Sequence, residues 1–232
     1  MQVNRDLYRE FTGLLAEAEW DVALLQEFPP RWTAPLAAAC GADSHRALTS
    51  RNWLPPLQGA IHRLNPDLIG ALEGGSNVTL VRGSGIAERR GLVLRPGPPE
   101  RRVMAFTRLD RRLCVGNLHA TVRNRPLAEQ ELRLAAETAT AWAGDDPLIL
   151  GGDFNLRPQQ SDVFAELEQR FDLAPPTAPD AIDHLLARGL EVVGPPGPWP
   201  AEECEVPWHG LALRLSDHAP VEALFGAATS SS

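Results

Sequence analysis

A chain of 232 residues, 44% hydrophobic and 22% charged, can bury one sizeable core and is too apolar to be wholly disordered. Its net charge of −8, with no lysine and every basic residue an arginine, excludes coating of nucleic acid by a broad basic surface. It does not exclude a nuclease, because a cleft can take its positive charge from bound metal ions. Cys40, Cys114 and Cys204 are far apart, form no CxxC pair and read as free thiols. No run approaches the roughly 20 apolar residues of a membrane span, and the first residues lack a signal-peptide core, so a cytoplasmic location is expected.

Residues 5–19 space Leu7, Phe11, Leu14, Leu15 and Ala18 along one helical face. Val22–Leu25 is then a short apolar run that ends in Gln26, Glu27 and two prolines, the pattern of a buried strand entering a loop. Similar runs occur at 78–81, 91–94, 103–109, 113–118, 148–150, 182–186 and 221–225. Pro126 suits a first helical turn, and helical spacing continues from Leu127 to Trp142, with a second amphipathic segment over 162–169. Many short strands with a few helices between them predict an α/β (α+β) layered sandwich. One domain is expected over 1–226 with a disordered tail over 227–232, and the proline-rich stretch Val193–Trp208 reads as a long surface loop near the active site.

The strongest local signal is Leu148–Asn155, where a buried strand runs into two glycines and presents Asp153 and Asn155 two residues apart. If the segment stays extended, both face the same way. A carboxylate can then take a proton from water or bind a metal while the amide orients that water; the plainer reading is an Asx-rich turn closing a strand. Asp217-His218 precedes the last strand, and Asp183-His184 lies inside another. Strand alternation puts Asp183 and His184 on opposite faces, so one of them is structural or surface. Asp183 is taken to face the cleft and to accept a hydrogen bond from His218, fixing the ring's tautomer. Glu27, at a strand end, suits a hard cation such as Mg²⁺, although a solvated loop glutamate is the plainer reading. His119 also ends a strand run. Ser216 is the nearest serine nucleophile but lacks a GxSxG turn.

Taken in order, LLQE, GNLHAT, GGDFN, IDHLL and SDHAPV resemble the signature of the endonuclease/exonuclease/phosphatase family over roughly residues 20–225. The resemblance implies a four-layer, DNase I-like sandwich of two mostly antiparallel sheets flanked by helices. It implies a phosphate-ester hydrolase, a nuclease or phosphatase, dependent on Mg²⁺ or Mn²⁺. Glu27 and Asp217 would bind metal, Asp153 and Asn155 would position or activate water, His218 oriented by Asp183 would contact the scissile phosphate, and His119 would stabilise charge on its oxygens. The partner would be a phosphate-ester substrate, with nucleic acid among the candidates, and the protein a monomer.

Family members open with a strand carrying a metal-site asparagine, whereas Asn4 is the only asparagine ahead of Glu27, with no apolar strand before it. The expectation is therefore that this chain lacks its domain's first strand. The competing reading is a non-catalytic or weakly active binding domain of the same fold. Arg51, Asn52, His62, Arg63, Arg123 and Arg125 are further candidates for cleft contacts to phosphate.

Overall fold

The computed structural model describes residues 7–49, 75–97, 100–208 and 211–227. Asn4 and the candidates Arg51, Asn52, His62 and Arg63 lie outside the described residues. In chain order the elements are α1 (Tyr8–Glu17), β1 (Val22–Phe28), α2 (Thr33–Ala39), β2 (Asp43–Leu48), β3 (Ser76–Val81), β4 (Ile86–Arg95), β5 (Arg102–Leu109) and β6 (Cys114–His119). They continue with α3 (Arg125–Ala143), β7 (Leu148–Asp153), α4 (Val163–Phe171), β8 (Asp183–Arg188), β9 (Leu190–Pro198), β10 (Glu205–Trp208), β11 (Leu211–Arg214) and β12 (Val221–Ala227).

Four layers result. A five-stranded sheet in the order β4-β5-β6-β7-β8 is antiparallel except for the parallel pair β6-β7. That parallel pair needs a crossover, which the 19 residues of α3 supply. Asn124 caps α3 by accepting from Leu127 N–H, and Pro126 occupies the first turn, where a missing N–H is harmless. One face of the sheet packs against α3 and α4 through Met104, Phe106, Leu118, Leu132, Leu150, Phe154 and Leu167. The three-stranded sheet β1-β3-β2 packs on the opposite face, where Val81, Leu109 and Val115 cluster, and α1 and α2 cover its outside through Phe28, Leu36, Val78 and Leu80. Strands β12 and β9 form a separate pair, as do β10 and β11.

Polar side chains stitch the two facing sheets together. Asn117, fully buried on β6, donates to Val78 O at 2.9 Å and Leu25 O at 3.3 Å and accepts from Gln26 Nε2 at 2.8 Å. Asn77 donates to Val103 O at 2.7 Å, and His45 Nδ1 lies 2.9 Å from Thr107 Oγ1. Burial of these groups is tolerable because they are paired.

His45 is 8% exposed, and burial, helped by the Arg89 charge, lowers its pKa to about 4. A histidine depressed from about 6.5 stabilises the fold fully only above its unfolded value. Stability is lost as pH falls from 6.5 through 4, by about 2 kcal/mol at pH 5 for one such group. Urea unfolding at pH 7 and pH 5 should show this loss, and His45→Gln should shrink it. Equal losses in parent and variant would remove His45 from the acid sensitivity.

The strand pairing corrects one expectation and lengthens two expected strands. The Val193–Trp208 stretch is not a loop: it holds most of β9, a short helical turn at Ala201–Cys204, and β10. The register of β9 on β12 slips between Gly194 and Gly197, so Pro195 and Pro196 sit at an irregularity in a pair that needs only one hydrogen-bonding edge of each strand. The run at 91–94 is the end of a ten-residue strand. Strand β12 extends to Ala227, one residue into the segment read as tail, and 228–232 lie outside the described residues.

Candidate active site

One end of the five-stranded sheet carries a row of candidate site residues in register: His119 on β6 pairs with Asp153 on β7, which pairs with Asp183 on β8. The glycine pair before Asp153 makes the row possible. At Gly152 φ is +126°, and a Cβ there would lie 2.0 Å from the Leu118 carbonyl oxygen, so no side chain fits. At Gly151 a Cβ would meet Leu185 at 2.6 Å and Leu24 at 2.8 Å.

Strand β7 stops at Asp153, and Asn155 takes φ +51°. The same-face rule for extended chain therefore does not place Asn155. Its backbone N–H donates to Asp153 Oδ1 at 2.9 Å, and its Nδ2 donates to Ala120 O at 3.2 Å. Ala120 N–H in turn donates to Asp153 O at 2.9 Å, so the segment after His119 and the segment after Asp153 hold each other.

His218 enters from the loop before β12, and its Nδ1 lies 3.1 Å from Asp183 Oδ2. His184 points the other way: it is buried, with Nε2 3.0 Å from Leu156 O and Nδ1 accepting from Thr177 N–H at 3.2 Å. Ser216 Oγ accepts the His218 backbone N–H at 3.3 Å, which makes it part of the turn that presents His218. Ligand-type atoms of Asp153, Asp183 and His218 all lie within 4.8 Å of one another, close enough to hold one metal ion.

Glu27 approaches from the facing sheet. The register of β1 on β3 slips between Leu25 and Phe28, and Glu27 takes φ +52°, which turns its side chain out of the ladder. Its Oε1 is 3.6 Å from His119 Nδ1, while His119 Nε2 is 3.5 Å from Asp153 Oδ2. These distances suit ion pairs, but burial, seconded by the Arg102 charge, lowers the His119 pKa to about 3. Burial wins, so the ring is neutral between two carboxylates, and its Nε2 is buried without a hydrogen-bond partner. The remaining predicted ligand, Asp217, is at the rim: its side chain is 94% exposed and 3.9 Å from His218 Nε2. Arg125 is engaged elsewhere, with Gln160 O at 2.9 Å and Glu129 at 3.7 Å, and Arg123 is exposed.

The buried carboxylates Asp153 and Asp183 are under-neutralised, with His218 the cation that opposes their upward shifts. Burial, then repulsion from Asp183 and more weakly from Glu27, pushes Asp153 up to about 6, against the pull of the Asn155 N–H. Asp183 is also raised, by burial first, with His218 opposing. An oxygen-rich set with elevated carboxyl pKa values and an unpaired buried imidazole nitrogen fits a hard divalent cation.

A model of the endonuclease/exonuclease/phosphatase family matches residues 4–218. The chain belongs to that family. Solved structures agree on the DNase I-like fold. A family protein from Bacteroides thetaiotaomicron is 16% identical with a TM-score of 0.66, covering 93% of this chain and 87% of its own. A mannosyl-6-phosphatase from the same organism is 15% identical with a TM-score of 0.66, covering 94% and 90%. The human Nocturnin catalytic domain, with bound sulfate, is 14% identical with a TM-score of 0.58, covering 82% and 79%. No curated protein matches by sequence. No helix among the described residues is long and apolar enough to cross a membrane.

Sequence reading passed over four residues that shape the candidate site: Gln26 and Asn117, which tie β1 to β6, and Thr121 and Glu131, which anchor the segment after His119. Asn117 sits inside the GNLHAT motif, so its place between two apolar residues of a buried strand was an available signal.

Proposed function

We propose that the protein hydrolyses phosphate esters with a divalent metal ion, Mg²⁺ or Mn²⁺, as a phosphodiesterase or endonuclease. The observation that carries this reading is the grouping of Asp153, Asp183 and His218 within 4.8 Å, beside the neutral His119, whose Nε2 is buried without a hydrogen-bond partner. Glu27, Asp153, Asp183 and, from the rim, Asp217 are the carboxylates that would hold the ion. When bound, such an ion neutralises phosphoryl charge and lowers the pKa of a water molecule.

The chain's own groups supply the rest. Asp153, whose Oδ1 accepts the Asn155 N–H at 2.9 Å, is the carboxylate placed to take a proton from an attacking water beside Asn155. Asn155, with its NH₂ held by Ala120 O, offers its carbonyl oxygen to orient that water. His218, held at Nδ1 by Asp183, presents Nε2 to a phosphoryl oxygen. His119, neutral, donates one hydrogen bond rather than a charge. In-line phosphoryl transfer asks for such positioning and charge neutralisation, with no covalent intermediate.

The test is hydrolysis of bis-p-nitrophenyl phosphate with Mg²⁺, with Mn²⁺ and with EDTA, followed by plasmid DNA, RNA, phosphoinositides and a sugar phosphate. The sugar phosphate belongs in the panel because one structural neighbour is a mannosyl-6-phosphatase. Turnover with metal that EDTA abolishes is expected. Failure across the panel with either metal would overturn the proposal in favour of a binding domain.

A further inference from the structure

Glu131 is 3% exposed on the second turn of α3, and its carboxylate points back over the start of that helix. Its Oε2 accepts Thr121 N–H at 2.7 Å and its Oε1 accepts the Thr121 hydroxyl at 2.6 Å. The Arg95 guanidinium balances the buried charge, with Nη1 3.8 Å from Glu131 Oε1 and 3.0 Å from Thr121 Oγ1. A carboxylate this buried persists only when its oxygens are satisfied in this way.

The N–H that Glu131 holds belongs to the peptide unit between Ala120 and Thr121. The carbonyl of that same unit is Ala120 O, which accepts Asn155 Nδ2 at 3.2 Å. Because a peptide is planar, fixing its N–H fixes the direction of its C=O. Glu131 and Asn155 therefore grip opposite ends of one rigid plate, two residues from His119.

We propose that Glu131 is a positioning residue: through the Ala120–Thr121 peptide it sets the orientation of the Asn155 amide in the site. Its catalytic consequence rests on the phosphoesterase reading above, whereas its geometric claim does not. An α3 glutamate would otherwise serve to neutralise Arg95 or to stabilise the helix. Neither role predicts any link to Asn155.

Glu131→Met keeps the side chain's length and removes both acceptors. On bis-p-nitrophenyl phosphate with Mn²⁺ it should lower kcat by about tenfold or more with KM little changed, as expected when a reacting group is misplaced rather than a binding group lost. Glu131→Gln should rescue most of that loss, since its Oε1 can accept Thr121 N–H while its Nε2 donates to Thr121 Oγ1. In an Asn155→Ala background Glu131→Met should add nothing, because coupled residues are non-additive. Additive losses, or no rescue by glutamine, would overturn the proposal.

A readout independent of turnover is the side-chain amide of Asn155 in ¹⁵N NMR spectra, assigned by its disappearance in Asn155→Ala. Glu131→Met should shift it and speed its exchange with solvent, while the backbone amides of β2, in the other sheet, stay in place. An unmoved amide would overturn the proposal even if kcat fell. If parent activity is absent, the phosphoesterase reading fails, but this arm still decides the positioning claim. Should Glu131→Met fail to fold, the pair Arg95→Leu with Glu131→Met removes both charges together and leaves no orphaned cation.

Discussion

Asp153→Asn is expected to reduce turnover by about three orders of magnitude while making the metal-free protein more stable at pH 7. The two effects have one origin. Asp153 is buried, within reach of two other carboxylates, and its pKa is pushed up to about 6. An acid raised from about 3.8 destabilises the fold when it ionises: its contribution is best below the unfolded value and is lost as pH rises through the folded one. The Asp153 contribution to metal-free stability should therefore fall between pH 4 and pH 6, by up to about 3 kcal/mol and against the opposing rise from His45, so the stability of the asparagine variant relative to the parent should grow with pH over that range. Urea midpoints at pH 4, 5, 6 and 7 with EDTA read the stability arm, and kcat with Mn²⁺ reads the other. A variant that is both less active and less stable at pH 7 would mean that Asp153 is a structural group, not a strained functional one.

Asp183→Asn should lower kcat by about 10²-fold or more with little change in unfolding midpoint. Asp183 Oδ2 is 3.1 Å from His218 Nδ1, and removing its charge leaves the ring free to take the wrong tautomer or to turn away from phosphate. The asparagine keeps the size of the side chain at the start of β8, so the ladder to β7 remains. If His218 acts on phosphate only as held by Asp183, its truncation should be no more damaging in the Asp183→Asn background than Asp183→Asn alone. Unchanged kcat in Asp183→Asn, or fully additive losses in the double variant, would separate the pair.

Strands β1, β6 and β7 were legible because each is a nearly uninterrupted apolar run, buried or half-buried, and α3 because Pro126 and helical spacing agree. Strand β2, Asp43–Leu48, was not, since only His45 and Ala47 are buried and the remainder is polar or exposed. Strands β9 and β10 were hidden by proline, which forbids central strands but not two-stranded pairs. The site was legible as a set of residue types at strand ends on one side of a sheet. Its geometry was not, for a physical reason: the left-handed turns at Glu27 and Asn155 are imposed by neighbours far away in sequence, such as Ala120. Glu131 was invisible because a helix glutamate ordinarily belongs to a solvated face, and only the Thr121 contact shows otherwise.

Glu27 and Asn155 both sit at φ near +50°, a region that a glycine occupies freely and that glutamate in particular disfavours. The chain carries side chains at two positions where its backbone would rest more easily without them. Stabilising substitutions drawn from backbone preference alone would choose glycine at both, improving the scaffold and erasing the groups that meet across the two sheets. A thermostable descendant of this protein would have to find its gains elsewhere, in the helices and the outer strands, and leave those two residues strained.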